Sequence, residues 1–201
     1  MAPAPPPKPD FVFGYGSLAT LAKTVPTRAF HPRGFVADLH GLRRCWGVAM
    51  NNRLTLPGYK YYLDEHGNRP ALHVAFLDLR PDRQGSVNGV CMPASREQLA
   101  RLDDRERSYV RRDVTALCHL PRGAEVRVWA YLGTVAGRRR LARARAAGRA
   151  AIDRGYLESV TAAFKRLGSA EYAACAASLD PGELPVLALS RHDLASTTIA
   201  G

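Results

Sequence analysis

The segment that follows the first apolar run limits the folds open to this chain. Residues 11–13 are typical of a β-strand and lead directly into the turn Gly14-Tyr15-Gly16-Ser17. Helix-compatible sequence then continues for only about eight residues beyond Leu18, because Pro26 ends it. A parallel second strand needs a longer crossover connection, so the sequence disfavours an alternating βαβ fold.

The glycine turn at residues 14–17 is compatible with two kinds of site. Glycine lets backbone amides approach a ligand closely, and a helix N-terminus directs unpaired N–H groups outward, so the turn predicts an anion site. The spacing Gly14-x-Gly16-x-x-Ala19, with Asp38 further on, also matches a dinucleotide-binding fingerprint. The dinucleotide interpretation is disfavoured, because the segment before Pro26 is too short for its crossover helix.

Most predicted strands precede residue 133. Apolar runs and alternating patterns place strand-like segments at residues 35–37, 45–50, 59–63, 71–79, 87–92, 109–117 and 126–132. Residues 65–68 predict a turn, and residues 81–86 predict a loop. Residues 121–123 predict the turn of a hairpin between the last two strands.

The predicted helices come mainly at the end of the chain. Ser95 followed by Gln98 is a capping-box signature and predicts a helix to about Asp104. Three further helices are predicted at residues 142–152, 156–167 and 170–179. This order predicts an α+β fold, a small curved mixed β-sheet or barrel with helices packed outside and a helical C-terminal part.

Length and composition predict one soluble domain. We expect a disordered proline-rich tail at residues 1–9, a single domain at 10–180 and a C-terminal extension at 181–201. No apolar run approaches the roughly 20 residues of a membrane-spanning helix, and no signal-peptide pattern is visible, which predicts a cytoplasmic protein. The four cysteines and six histidines lack metal-ligand spacing, so no metal is expected.

The net charge of +11 is concentrated in seven arginines between residues 138 and 154. A stripe of this kind suits a phosphate backbone or an acidic protein. No aromatic residue is interleaved with these arginines, which favours a solvated helix face over a nucleic-acid surface.

Several motifs together resemble the γ-glutamylcyclotransferase-like superfamily. They are Gly14-Tyr15-Gly16-Ser17-Leu18, Gly41-Leu42-Arg43-Arg44, Val87-Asn88-Gly89-Val90, Leu102-Asp103-Asp104-Arg105-Glu106 and Tyr109-Val110-Arg111 with Val114. The resemblance covers roughly residues 11–133 in matching order and spacing. A looser likeness over residues 155–172 points to the glutathione-degrading branch.

The resemblance implies a carbon–nitrogen lyase or acyltransferase type of reaction. The α-amine of a small γ-glutamyl substrate attacks its own γ-carbonyl and releases 5-oxoproline with an amine or amino acid. Because the nucleophile belongs to the substrate, no cofactor is expected, and orientation alone supplies on the order of 7 kcal/mol. Glu106 aligns with the general acid and base, and we expect it to be partly buried with Arg105 and Arg107 pointing away.

The resemblance also implies the residues that bind substrate. The glutamyl α-carboxylate, the carbonyl oxygen or both would be held by the backbone amides of Tyr15, Gly16, Ser17 and Leu18, with the Ser17 hydroxyl as a further donor. Tyr109 is expected to line the pocket, while Arg111 either binds substrate or braces its strand. Arg107 stands where many relatives have glycine, so it would narrow the pocket mouth or bring positive charge to it.

Plain structural interpretations stay open beside these roles. Glu106 also fits a solvated residue at a helix end, and Ser17 fits a simple N-cap. If the alignment is shifted, the alternative acids are Glu97, Asp103 and Asp104. The activity predicted is cyclotransfer on glutathione, a γ-glutamyl amino acid or a γ-glutamyl amine. The alternatives are a binding module of the same fold without turnover, and a protein whose arginine-rich segment binds nucleic acid or an acidic carrier protein.

Overall fold

A computed structural model describes residues 7–22 and 26–194 of the chain. Most of the predicted N-terminal tail and the last residues of the predicted extension lie outside these ranges. The strands are β1 Asp10–Gly14, β2 Phe35–Asn51, β3 Lys60–Leu63, β4 His73–Pro93, β5 Tyr109–Asp113, β6 Cys118–His119, β7 Arg127–Gly133, β8 Ala150–Asp153, β9 Val186–Leu187 and β10 Ser190–Asp193. The α-helices are α1 Arg96–Arg105, α2 Val135–Ala146, α3 Arg154–Leu167 and α4 Ser169–Ala176.

Eight of these strands form one curved mixed sheet. Its order is β5-β7-β1-β4-β2-β6, with β8 paired to β4 and β9 paired to β8. The β1–β7, β4–β8 and β8–β9 pairs are parallel, and the other pairs are antiparallel. The predicted α+β fold with helices outside a curved mixed sheet is confirmed. The dinucleotide interpretation fails, because β1 lies between β4 and β7 and not beside the strand that follows it.

Strands β2 and β4 are longer than the sequence predicts. The two segments predicted at 35–37 and 45–50 are one strand, and the predicted loop at 81–86 lies inside β4. Leu42 faces Pro81 while His40 faces Ser86, so residues 82–85 bulge out opposite a single residue. That residue is Gly41, whose φ of +76° favours glycine. The turn-forming residues at 81–86 therefore mark a bulge within the β2–β4 pair and not the end of β4.

Two further predictions need correction. The predicted helix at 142–152 is wrong, because α2 ends at Ala146 and residues 150–153 form the buried strand β8. Gly148, with a φ of +62°, lies in the break between the two elements. The predicted hairpin is correct in its pairing of β5 with β7, but a 3₁₀ turn and β6, which pairs with β2, lie between them.

Helix ends place two residues of the candidate site. The predicted capping box is present, since Gln98 donates from its backbone to Ser95 Oγ while its side chain accepts from the Ser95 amide. Helix α1 then ends at Arg105, so Glu106 stands at its C-terminal cap. At the start of α3, the Asp153 carboxylate accepts from the Tyr156 amide at 2.9 Å. The last turn of α1 and the first turn of α3 therefore border the site.

A buried ion pair ties α2 to the sheet. The Asp78 carboxylate is fully buried and accepts from the amides of Leu79 at 2.8 Å and Gly133 at 2.7 Å. Arg138 Nε donates to the same carboxylate at 2.8 Å, and Arg140 donates to the Ala49 carbonyl at 2.8 Å. Two arginines of the arginine-rich segment therefore hold α2 against the sheet.

None of the helices in the described ranges combines the length and apolar composition needed to cross a lipid bilayer.

Candidate active site

The glycine turn and Glu106 border one narrow cavity of about 30 Å³. Strand β1 delivers the turn, and the α1–β5 connection delivers the carboxylate. The lining residues are Tyr15, Gly16, Ser17, Leu18, Leu77, Glu106, Tyr109, Tyr131 and Tyr156. All six site residues expected from the sequence are therefore brought together, although they come from two segments about ninety positions apart.

The turn is closely packed at both of its glycines, and most tightly at Gly14. A Cβ on Gly14 would lie 2.6 Å from the backbone nitrogen of Ala19, and one on Gly16 would lie 3.0 Å from the Tyr156 hydroxyl. A 3₁₀ helix begins at Ser17, with Gly16 and not Ser17 at the N-cap position. Ser17 is exposed, and its hydroxyl makes no hydrogen bond within the described ranges. The plain N-cap interpretation of Ser17 is therefore wrong.

Buried tyrosines form the walls of the narrow cavity. The Tyr15 hydroxyl donates to the Tyr131 carbonyl at 2.6 Å, and the Tyr109 hydroxyl donates to the Leu77 carbonyl at 2.6 Å. Burial raises the pKa of both hydroxyls well above the usual range. Burial also raises the pKa of Tyr156, against hydrogen bonding from the backbone of Leu77. These phenols are neutral at physiological pH, so they shape the cavity without acting as bases.

Glu106 is the one carboxylate among the residues that line the narrow cavity. Its side chain is 17% exposed, which agrees with the partial burial expected from the sequence. Arg107 points away as expected, donating to the Pro57 carbonyl at 2.8 Å. The same expectation was wrong for Arg105, whose Nε and Nη2 each lie 3.2 Å from Glu106 Oε1. Its long side chain folds back over the neighbouring carboxylate instead of extending into solvent.

The alternative acids and Arg111 have other partners. Glu97 accepts from the Ser95 hydroxyl at 2.7 Å at the start of α1. Asp103 accepts from the Tyr131 hydroxyl at 2.7 Å and pairs with Arg111 at 3.3 Å. Asp104 is exposed on α1. None of these residues lines the narrow cavity, and Arg111 lies over the Trp129 ring, so it braces its strand.

A wider cavity of about 170 Å³ adjoins the narrow one. The two share Ser17, Glu106, Tyr109 and Tyr156. The other residues that line the wider cavity are Thr20, Leu21, Gly58, Tyr59, Lys60, Phe76, Arg105, Arg107, Ser108, Arg191 and Asp193. Of the described residues, no group of three or more His, Cys, Asp or Glu side chains is arranged to hold a metal ion.

The sequence did not identify Lys60, Tyr131 or Tyr156 as residues of these cavities. Tyr156 had a usable signal, because Asp153 is a favoured N-cap and Tyr156 then falls in the first turn of α3. No sequence signal marked Lys60 or Tyr131 as a cavity residue, because each lies in a strand with an ordinary sequence pattern.

One of the similar solved structures supports the fold assignment. YkqA from Bacillus subtilis superposes with a TM-score of 0.51 at 16% identity, over 89% of this chain and 56% of that chain. The present chain thus spans little more than half of that relative. A protein named gamma-glutamyl cyclotransferase gives a TM-score of 0.47 at 17% identity, over 79% of each chain. An uncharacterized protein from Homo sapiens gives 0.47 at 18% identity, also over 79% of each chain.

Sequence comparison is decisive for the family. Among curated proteins, no sequence matches the chain. The sequence profile of the family described as gamma-glutamyl cyclotransferase, AIG2-like, matches residues 12–148. The matched range holds the glycine turn and Glu106 and extends over more than half of the sequence. The chain therefore belongs to the gamma-glutamyl cyclotransferase, AIG2-like family.

Proposed function

We propose that the chain is a γ-glutamylcyclotransferase that releases 5-oxoproline from a small γ-glutamyl amide without a cofactor. The observation that carries the proposal is that Glu106 and the glycine turn line the same narrow cavity. Family membership supports the reaction class. The arrangement suits a reaction whose nucleophile is supplied by the substrate, since the enzyme then needs only to orient the chain and move protons.

The glycine turn is the proposed oxygen-binding element. A cavity of about 30 Å³ accepts a small group such as a carbonyl oxygen or one end of a carboxylate. The proposed donors are the backbone amides of residues 15–18 and the Ser17 hydroxyl. A donor directed at the oxyanion that develops in the transition state contributes roughly 2.7 to 4 kcal/mol. The remainder of the substrate extends into the wider cavity.

Glu106 is the proposed general acid and base. It removes one proton from the substrate α-ammonium, and the amine nitrogen then bonds to the γ-carbonyl carbon. The amide C–N bond breaks as Glu106 returns a proton to the leaving nitrogen. The second proton lost by the α-nitrogen is taken up by the released amine, so the protons balance. Arg105 contacts Oε1 alone, so Oε2 of Glu106 is without a hydrogen-bond partner among the described residues and is the oxygen proposed for this step.

The test is 5-oxoproline release, measured by mass spectrometry, from glutathione, γ-glutamyl dipeptides and γ-glutamyl amines. We expect Glu106→Gln to lower turnover by about 10² to 10⁴. Asp104→Asn is the matched control, because it removes an exposed carboxylate two positions away on α1 and outside both cavities. No release by folded wild type, or full activity in Glu106→Gln, contradicts the proposal.

A ligand-binding module without turnover is the second candidate. The contact between Arg105 and Glu106 favours it, because it engages one of the two oxygens of the proposed proton acceptor. Titration calorimetry with a γ-glutamyl dipeptide separates the two candidates. Heat of binding without 5-oxoproline release supports the module, whereas release supports the enzyme.

A further inference from the structure

Lys60 lies in the wider cavity without a counter-ion among the residues that the structure describes. It is the first residue of β3, and its Nζ lies 4.4 Å from the centroid of the Phe76 ring and 5.7 Å from that of Tyr59. Across residues 7–22 and 26–194, no carboxylate oxygen comes within 4.0 Å of this ammonium group. A partly buried ammonium against aromatic rings, without an anionic partner, is an unfavourable arrangement that an anionic ligand would relieve.

The other cations around this cavity already have partners. Arg191 pairs with Asp193 at 2.6 Å, and Arg105 pairs with Glu106 at 3.2 Å. Arg107 donates to a backbone carbonyl at 2.8 Å. Burial and the charge of Arg191 lower the pKa of Lys60 to about 8, and the charges of Glu106 and Asp193 act in the opposite direction. Lys60 and Arg107 are therefore the two cations of the wider cavity without a carboxylate partner among the described residues, and of these two only the Lys60 ammonium also lacks a hydrogen-bond acceptor there.

The layout of the two cavities indicates which part of the substrate reaches Lys60. Glu106 borders both cavities, so in the proposed reaction the scissile nitrogen lies at their junction. The narrow cavity holds only a small group, whereas the wider one has about 170 Å³. The leaving group therefore extends into the wider cavity, where Lys60 is located.

We propose that Lys60 selects γ-glutamyl substrates whose leaving group carries a carboxylate. The inference rests on the proposed cyclotransferase function and narrows its substrate class to γ-glutamyl amino acids and peptides. The carboxylate of the leaving group pairs with Lys60 Nζ, and a cationic leaving group such as a diamine is repelled by it. Lys60 touches substrate in this proposal but takes no proton from the reacting atoms.

The wall that holds Lys60 includes a segment outside the range matched by the family profile. Strand β10 pairs with β3 so that Asp193 faces Lys60, and the Leu194 amide donates to the Tyr59 carbonyl at 2.6 Å. The matched range ends at residue 148, well before β10 begins at Ser190. The selectivity is accordingly expected to depend on β10 of this chain as well as on the shared catalytic residues.

The test compares γ-glutamyl-alanine with γ-glutamyl-ethylamide, which lacks only the carboxylate of the leaving group. A charged hydrogen bond predicts a preference of wild type for the first substrate, in kcat/KM, on the order of 10- to 100-fold. We expect Lys60→Met to bring this ratio close to one, chiefly by raising KM for γ-glutamyl-alanine, and Lys60→Arg to retain part of it. Lys60→Gln replaces Lys60→Met if the latter does not fold.

Lys165→Met is the matched control, because Lys165 also lies over an aromatic ring, Tyr172 at 5.0 Å, but outside the cavity. It should keep the wild-type ratio. If wild type converts both substrates equally, or Lys60→Met keeps the preference, the inference on Lys60 is wrong while the cyclotransferase function stands. If wild type releases 5-oxoproline from neither these two nor the wider panel, the function fails and the inference fails with it.

Discussion

Arg105 donates from Nε and Nη2 to Oε1 of Glu106, each at 3.2 Å, across the last peptide bond of α1. The Arg105 side chain is 48% exposed, whereas that of Glu106 is 17% exposed. Arg105 is thus the more exposed partner, and one oxygen of the proposed proton acceptor is engaged before substrate binds.

Removing this ion pair is expected to raise activity. In Arg105→Met, both oxygens of Glu106 become available to the substrate. Since an exposed pair is worth about 0–1 kcal/mol, kcat/KM should rise by up to about fivefold. Initial rates of 5-oxoproline release provide the measurement, with Arg101→Met on the same helix as the control. A fall in activity would show instead that Arg105 helps to bind substrate or to orient Glu106.

The two glycines of the turn should differ in their tolerance of a methyl group. In Gly14→Ala the new Cβ meets the backbone nitrogen of Ala19 at 2.6 Å, and backbone cannot easily yield, so we expect a loss of about 1–3 kcal/mol in unfolding free energy. In Gly16→Ala the obstacle at 3.0 Å is the end of the Tyr156 side chain, which can shift. Urea unfolding should therefore show a smaller loss for Gly16→Ala. Equal losses would refute this explanation.

Asp78 is expected to be essential for stability. Asp78→Asn leaves the Arg138 guanidinium without its buried counter-ion, and breaking a buried pair from one side costs about 3–5 kcal/mol. Asp193→Asn should change the unfolding free energy by no more than about 0.5 kcal/mol, because Asp193 is 66% exposed. Chemical denaturation of both variants measures the two changes in unfolding free energy. Similar changes would mean that the buried pair stabilises the fold no more than the exposed one.

The pH dependence of stability should report the burial of Lys60. Its pKa is lowered from 10.5 to about 8, first by burial and next by the charge of Arg191, with Arg105 acting in the same direction against Glu106 and Asp193. The folded state therefore loses this proton at a lower pH than the unfolded state, so the contribution of Lys60 to stability rises between pH 8 and 10.5. Lys60→Met removes that titration.

The stability gain from Lys60→Met should accordingly be largest below pH 8 and shrink toward pH 10.5. Urea midpoints of wild type and variant at several pH values across this range give the difference directly. A difference that stays constant with pH would show that Lys60 has an ordinary pKa.

Local patterns were sufficient for some elements and misleading for others. The capping box at Ser95 correctly predicted α1, because an N-cap depends on residues three positions apart. The apolar run at 150–153 was assigned to a helix, but it forms β8 between β4 and β9. A short buried strand has no polar face, so its period cannot be distinguished from that of a helix segment.

Motifs in the sequence determined the glycine turn, the family resemblance and Glu106 as the expected acid and base, because each depends on residue types at short spacing. Only the tertiary structure decided that Tyr156 closes on Gly16 and that β10 positions β3 with Lys60 at the wider cavity. Strand register and helix docking, which depend on burial across the whole sheet, determine these contacts. Short-range sequence patterns carry no record of which distant surfaces will meet.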